Sequence, residues 1–148
     1  MKEKSVGGIV FRKEGRKILY LLLLYERKSD GLRTYWDFPK GHQEKGESEE
    51  ETLAREVAEE TSIKDISVAR GFRHTVKYFF RRDGKTVQKE VAFYLCKTVQ
   101  KDVKISSEHK DSAWLDYDGA MKKLAFDNSK GLLKKAGSFL SRLTLKDF

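Results

Sequence analysis

Residues 41–63 read GHQEKGESEEETLAREVAEETSI, and this stretch decides the fold class that we expect for the chain. Glu56, Glu59 and Glu60 stand in it at positions i, i+3 and i+4, so a helix would place their carboxylates in a wedge roughly 100° wide. Hard oxygen ligands clustered in this way suit magnesium or manganese, which bind few carboxylates and keep waters and substrate phosphates. Taken alone, these glutamates are also typical of a solvated acidic helix face.

The stretch also marks where its helix begins and what the helix buries. Residues 48–51 (SEEE) have the S-x-x-E form of a capping box, so we expect the helix to begin near Ser48 and to run to about Thr61. Its apolar face consists of small or aliphatic residues, namely Leu53, Ala54, Val57 and Ala58. Such a face packs against a core and leaves the glutamates on the neighbouring side of the helix.

Charge is distributed unevenly along the chain. Between Glu44 and Glu60 there are eight acidic and two basic residues, a local balance of −6, whereas the whole chain carries +8 and its remainder therefore +14. Basic surroundings of an acidic site fit a polyphosphate substrate that arrives with its metal ion. Non-specific binding of nucleic acid through phosphate contacts is the alternative that charge alone leaves open.

Length and composition predict a single domain over residues 1–148, long enough for a substantial core. No apolar run approaches the roughly 20 residues that span a membrane, and residues 1–9 lack the apolar segment of a signal peptide. The single cysteine, Cys96, lies in an apolar run and is expected to be a small buried hydrophobe. We therefore predict a cytoplasmic protein without a membrane partner; its oligomeric state stays open.

Apolar runs separated by turn residues predict the strands. They cover residues 6–11, 18–26, 65–72, 74–81, 86–97, 103–105 and 113–115. A turn at Gly15 joins the first two, Asp83-Gly84 predicts a tight hairpin, and a polar loop is expected from Arg27 to Thr34.

The last third of the chain changes to a helical period. One short helix is predicted from Asp116 or Asp118 to Leu124, and another from residue 127 or 128 to about Arg142. Strands, one helix, more strands and then helices are typical of an α+β fold with a mixed sheet between helices.

Gly41, five residues, Glu47, seven residues and then Arg55-Glu56-Val57-x-Glu59-Glu60 resemble the Nudix box. That family hydrolyses nucleoside diphosphates linked to another moiety, and the resemblance implies an α/β/α sandwich. One position departs from the pattern, because Ser62 stands where the family has a glycine that ends the helix. Serine adopts the left-handed conformation of such a residue at a cost of roughly 1 kcal/mol. The departure concerns the turn and leaves the metal ligands in place.

Segments outside the box are similar to asymmetric diadenosine tetraphosphate hydrolases. They are WDFPKGH at residues 36–42, Gly71-Phe72 with Tyr78, Ser107-Glu108-His109 with Trp114-Leu115, and residues 126–139 with their Lys-x-Leu-Leu pattern and late aromatic. The resemblance implies in-line attack of water on a phosphorus of diadenosine tetraphosphate, with release of AMP and ATP.

By this resemblance, Glu56, Glu59 and Glu60 hold one or more Mg²⁺ (or Mn²⁺) ions that lower the pKa of a bound water. The resemblance also implies that the Lys40 backbone carbonyl completes the metal shell and that the Lys40 side chain meets phosphate. Glu108 matches the position from which many Nudix enzymes send a further carboxylate, as metal ligand or general base. An exposed loop glutamate is the alternative for Glu108.

Five further side chains receive roles. Arg55 and Glu47 are counted in the catalytic set as an ion pair that orients the ligands, since rigid ligands need fixed neighbours. His42 is expected to bond phosphate or to act in proton transfer, although packing within its loop is the alternative. Tyr78 and Phe139 are expected to sandwich an adenine, because base stacking is worth roughly 1–3 kcal/mol; core packing is the commoner fate of any aromatic.

Competing functions share the box. Removal of pyrophosphate from RNA 5′ ends and hydrolysis of diphosphoinositol polyphosphates both suit basic surroundings, so RNA is a candidate partner. A catalytically silent Nudix module that binds nucleotide or RNA is the alternative outside the enzymes. Such a module has no need of all three glutamates together with Glu47 and Arg55, and here all five are present.

Overall fold

The computed structural model of the protein describes residues 2–27 and 33–143. Within them, seven strands form one sheet. The strands are β1 (Lys2–Glu14), β2 (Lys17–Arg27), β3 (Arg33–Asp37), β4 (Lys40–His42), β5 (Ser67–Arg82), β6 (Lys85–Lys97) and β7 (Asp111–Leu115). The helices are α1 (Glu49–Thr61), α2 (Tyr117–Lys123) and α3 (Asp127–Ser141).

The sheet has the order β3-β2-β1-β6-β5, with β4 beside β1 and β7 beside β2. β1 and β6 run parallel and the other pairs are antiparallel, so the sheet is mixed. Alternate residues of a strand point to opposite faces. On β1, Val6 and Val10 pack with Leu53 of α1, whereas Ile9 packs with Leu133 of α3. Helices therefore cover both faces, which confirms the predicted α/β/α sandwich.

The boundaries of α1 follow from its end residues. The Ser48 hydroxyl accepts a bond from the Glu51 amide at 3.1 Å, and the Glu51 carboxylate accepts one from the Ser48 amide at 2.9 Å, which confirms the capping box. Ser62 ends the helix in the left-handed region, with φ 66° and ψ 13°. Its hydroxyl donates to the Lys104 carbonyl at 3.0 Å, and this bond offsets part of the cost of the conformation.

Two strand predictions were wrong. Residues 67–72 and 74–81 belong to the single strand β5, and residues 65 and 66 of the first predicted strand lie before it. β5 passes a register irregularity between Val68 and Arg73, where Gly71 has φ 89°. Residues 103–105 form no strand. They run past the end of α1 instead, where the Lys104 amide donates to the Thr61 carbonyl. β3 and β4 were not predicted, because neither shows apolar alternation. Residues 28–32 of the expected polar loop lie outside the described residues.

Two further expectations concern burial and membranes. Cys96 is a free thiol with no exposed surface, and burial raises the pKa of this thiol well above its usual range. It is the buried hydrophobe that the sequence predicts. In the part of the chain that the structure describes, no helix is both long enough and apolar enough to cross a membrane.

Candidate active site

β4 and α1 meet where Gly41 faces Glu56. Gly41 pairs with Val6 of β1, and the Glu56 carboxylate lies so close to its Cα that an added Cβ would overlap it. Only glycine leaves room for this approach. Lys40 and His42 flank Gly41 and therefore point to the opposite face of the strand. The first glycine of the motif is thus needed to seat a carboxylate.

Arg55 organises the carboxylates around it. Its Nε lies 2.6 Å from Glu47 Oε2 and its Nη2 2.9 Å from Glu47 Oε1, the bidentate geometry of a strong pair. The bond from Arg55, helped by the Glu44 amide, lowers the pKa of Glu47 to about 2. Nη1 also reaches Glu56 Oε1 at 2.7 Å and Glu59 Oε2 at 3.4 Å. The structure thus contains the expected Arg55–Glu47 pair.

The glutamate side chains do not converge on one point. Glu56 and Glu59 turn towards Arg55, with Glu59 59% exposed, whereas Glu60 turns into the protein. Across residues 2–27 and 33–143, no three carboxylate, imidazole or thiolate groups are grouped so as to hold a metal ion. Helical spacing brings the glutamates to one side of α1, but Glu56 and Glu59 bond Arg55, whereas Glu60 bonds His109.

Glu60 is the most buried of the three, with 5% exposure. Its Oε1 lies 2.6 Å from His109 Nε2, whereas its Oε2 is buried without a hydrogen-bond partner. Burial raises the pKa of Glu60, the bond to His109 lowers it, and the nearby charges of Glu56 and Glu108 raise it again. An unpartnered buried carboxylate oxygen beside two more carboxylates is an environment that a divalent cation would stabilise.

Glu108 comes from the turn before β7. It is exposed, and its charge reaches Glu60, which places it on the same side of the molecule as the α1 glutamates. His42 is also exposed, and its carbonyl accepts a bond from Arg55 Nη2 at 2.9 Å. Glu56, Glu60 and Glu108 thus lie on one side of the molecule, and Arg55 links the His42 carbonyl to Glu56.

A cavity of about 230 Å³ opens on the other face of β4. Tyr35, Asp37, Lys40, Tyr78 and Phe126 are among its lining residues. Lys40 Nζ lies 3.3 Å from Asp37 Oδ2. Burial alone would lower the pKa of Lys40, but Asp37 and the nearby tyrosines outweigh it, so the pKa is raised and the amine stays charged. The cavity combines aromatic walls with a fixed positive charge.

A residue of α3, distant in the chain, fixes the position of the Asp37 carboxylate. Its Oδ1 accepts bonds from Ser129 Oγ of α3 at 2.8 Å and from the Phe38 amide at 2.9 Å. This links the start of α3 to the strand that leads into β4. The orientation of Lys40 therefore depends on α3 packing correctly.

The structure corrects the expected pairing of Tyr78 with Phe139. Phe139 packs edge-on against Phe72, with ring centroids 5.6 Å apart, and lines another surface pocket with His74. It lies 13 residues beyond Phe126, which on a helix is about 20 Å. Tyr78 instead shares its cavity with Tyr35 and Phe126, whose rings meet edge-on at 5.2 Å.

Sequence reasoning missed several residues of this site. It gave no role to Tyr35, Asp37 or Phe126, and it did not pair His109 with Glu60. The WDFP run and the aromatic before α3 were available as signals, but single aromatic residues do not reveal which cavity they line. Only the packing of α3 against the sheet brings these side chains together.

Comparison with known proteins gives a consistent result. The NUDIX domain family model matches residues 1–135. The chain is 35% identical over 150 residues to the rat bis(5′-nucleosyl)-tetraphosphatase [asymmetrical], covering 95% of this chain and 97% of the rat protein. The bis(5′-nucleosyl)-tetraphosphatase [asymmetrical] of Caenorhabditis elegans is 31% identical, covering 95% of this chain and 99% of the C. elegans protein. A crystal structure of a C. elegans Ap4A hydrolase binary complex superposes with a TM-score of 0.81 at 30% identity, covering 95% of this chain and 99% of that one.

Proposed function

The chain belongs to the Nudix family, and from that premise we infer that it hydrolyses dinucleoside polyphosphates, first among them diadenosine tetraphosphate, to ATP and AMP. One observation carries the substrate choice. An aromatic cavity beside Lys40 lies across β4 from the carboxylates of α1, so one strand separates a site for a base from a site for phosphates. The identity to asymmetric tetraphosphatases supports the same choice.

Hydrolases of this family need divalent metal ions, and we propose Mg²⁺ or Mn²⁺ here. Glu56, Glu59 and Glu60 would hold the ion, with the Lys40 carbonyl and Glu108 as further ligands. The unpartnered buried oxygen of Glu60 supports this assignment. When bound, the ion neutralises phosphate oxygens and lowers the pKa of a water molecule. Its choice of oxygen ligands follows the hard character of these cations.

The other residues of the site would orient these ligands and the substrate. Arg55, locked by Glu47, holds the Glu56 carboxylate and the carbonyl of His42. His109 holds one oxygen of Glu60 and leaves the other free. We propose that the Glu108 carboxylate accepts a proton from water, because it is exposed and its charge reaches Glu60.

The cavity would hold an adenine by stacking. Tyr78 and Phe126 supply aromatic walls, and Asn128 supplies an amide at the cavity for the edge of the base. The Lys40 ammonium would bind the phosphates next to the base, since its raised pKa keeps it charged. His42 projects from the same face of β4 as Lys40 and would bond a further phosphate oxygen. Phe139 has no part in this arrangement.

Product analysis tests the function. With Mg²⁺, we expect diadenosine tetraphosphate to yield ATP and AMP in equal amounts, because water attacks one side of the phosphate chain. The other substrates to be assayed are triphosphorylated RNA, deoxynucleoside triphosphates and diphosphoinositol phosphates, and every substrate in this panel is tested with Mg²⁺ and with Mn²⁺. A clear preference for another member of the panel would replace the proposed substrate. No turnover of any member would favour a nucleotide-binding module without catalysis.

Removing the Tyr78 ring tests the base site. We expect Tyr78→Ala to raise KM for diadenosine tetraphosphate by about 5- to 150-fold, the loss of roughly 1–3 kcal/mol of stacking. The catalytic constant should fall less, since the base lies away from the attacked phosphorus. Steady-state kinetics measures both parameters, after a melting experiment has shown that the variant is folded.

Phe139→Ala is the matched control for Tyr78→Ala. It also removes an aromatic ring, but one that lies outside the cavity. We expect its KM to stay close to that of the parent. Equal KM values for Tyr78→Ala and the parent would remove Tyr78 from the base site, and a large rise with Phe139→Ala would restore the pairing expected from the sequence.

We further propose that residues 1–148 form one domain in the cytoplasm. The hydrophobic cores on the two faces of the sheet both include residues of β1 and β6, which argues against two separate domains. A free buried thiol is usual in reducing compartments, where proteins rarely form disulfides.

A further inference from the structure

The face of the sheet that carries α1 continues beyond the first turn of that helix. Glu49, at the helix start, bonds Arg73 of β5 at 2.8 Å and Lys4 of β1 at 2.6 Å. Beyond this point, side chains of three adjacent strands lie in rows across the same face. One row holds Lys4, Glu90 and Lys77, and the next holds Lys2, Gln88 and Phe79.

Phe79 is the exposed aromatic of this face. It is 67% exposed, more than any other aromatic side chain within the described residues. Tyr78, its neighbour, points to the opposite face and lines the cavity of the active site. With most of its ring exposed on the face of the sheet, Phe79 gains little from core packing. It therefore offers a free surface for a planar partner.

Cations surround the Phe79 ring. Lys77 and Arg81 stand two residues before and after it on the same face, and Lys2 lies two strands away in the same row. Within residues 2–27 and 33–143, neither Lys2 nor Arg81 has a carboxylate within 4.0 Å, and Lys77 reaches Glu90 only at 3.9 Å. We call Phe79, Gln88, Lys2, Lys77 and Arg81 the Phe79 platform.

The platform is partly pre-arranged. Arg81 Nη1 donates to Thr86 Oγ1 at 3.3 Å and its Nη2 to the Gly84 carbonyl, which keeps the guanidinium beside the strand. Neighbouring strands are about 4.8 Å apart, and alternate residues of one strand about 6.7 Å apart. Lys77 and Arg81 are thus attached to β5 on either side of Phe79, each at a backbone spacing close to one nucleotide's length.

We propose that the Phe79 platform binds single-stranded nucleic acid. One base stacks on Phe79, Lys77 and Arg81 contact the phosphates on either side, and the Gln88 amide meets the edge of the base. An aromatic side chain on an open sheet with cations beside it suits an unpaired strand, because a duplex offers no free base to stack. A second copy of the chain fits poorly, since the platforms of both copies are positively charged.

This site is separate from the active site. The platform and the cavity lie on opposite faces of β5, so binding there does not require hydrolysis. A variant that no longer binds nucleic acid at the platform should therefore still hydrolyse the dinucleotide. The binding proposal stands or falls independently of the proposed substrate.

Fluorescence anisotropy with labelled oligonucleotides of about 12 nucleotides tests the proposal. The probes are single-stranded RNA, single-stranded DNA of the same sequence and duplex RNA, each measured at low salt and at about 200 mM salt. We expect the parent to bind both single strands more tightly than the duplex. We expect Phe79→Ala to weaken single-strand binding by about 5- to 150-fold.

Val99→Ala is the matched control, since Val99 is 84% exposed but lies in a loop away from the platform. It should bind as the parent does. Arg81→Gln should make the slope of log affinity against log salt concentration shallower by about one, which corresponds to the loss of one phosphate contact. Hydrolysis of the dinucleotide should be unchanged in all three variants, which shows that they are folded.

Three results would overturn the proposal. They are no binding by the parent, equal binding by the parent and Phe79→Ala, and preference for the duplex. If sedimentation shows a dimer that Phe79→Ala dissociates while oligonucleotide binding is unchanged, the platform is an interface between copies.

Discussion

Glu59→Gln is expected to lower kcat for diadenosine tetraphosphate by about 10²–10³-fold, which is about 3–4 kcal/mol of transition-state stabilisation. Glutamine keeps the size and helix propensity of glutamate but lacks the charge of a metal ligand. Glu59 is 59% exposed, and its only bond among the described residues is to Arg55, so the fold does not depend on it. Under saturating Mg²⁺, kcat should therefore fall, whereas the melting temperature should stay close to that of the unmodified protein.

Glu50→Gln makes the same change on an exposed position of the same helix. It should leave kcat unchanged, because Glu50 lies near the other end of α1. Metal binding measured by calorimetry gives a readout independent of turnover, and we expect weaker binding only for Glu59→Gln. Near-parental kcat for Glu59→Gln would remove this residue from the metal site.

Gly41→Ala is expected to lower kcat about 10²-fold with only a small loss of stability. The added Cβ would overlap the Glu56 carboxylate. Because that carboxylate ends a flexible side chain, it moves aside at little cost to the fold. A ligand displaced by about 1 Å is enough to lose about 10² in rate. Kinetics and thermal unfolding of the same preparation would separate the two effects.

Gly131→Ala provides the matched control for Gly41→Ala. Gly131 lies inside α3, and a Cβ there meets nothing within 4 Å. Alanine should stabilise the helix by up to about 1 kcal/mol and leave kcat as it is. If Gly41→Ala turned over substrate as fast as the parent, the close approach of Glu56 to β4 would have no catalytic importance.

Local patterns in the sequence were sufficient wherever the structure depends on residues close together in the chain. The capping box at Ser48 and the helix to Thr61 follow from contacts within four residues. The Arg55–Glu47 pair spans only eight residues and follows from the motif that resembles the Nudix box. The α/β/α arrangement also followed, because the order of elements and the family resemblance agreed.

Predictions failed where distant segments decide the outcome. β5 continues through Gly71 because pairing with β6 resumes at Arg73, which no local signal indicates. Residues 103–105 are apolar enough for a strand but bond to the end of α1 instead. Strand boundaries depend on partners far along the chain, so alternation alone cannot place them.

The sequence by itself determined the fold class, through the order of its elements, and the helix that carries Glu56, Glu59 and Glu60, through residue types at fixed spacing. Only the tertiary structure decided which aromatic residue accompanies Tyr78, since Phe126 and Phe139 lie on different parts of the surface once α3 packs on the sheet. It likewise buried Glu60 against His109, 49 residues away, and left its second oxygen without a partner. Burial and side-chain convergence arise from packing between elements, and packing is not encoded in any one segment.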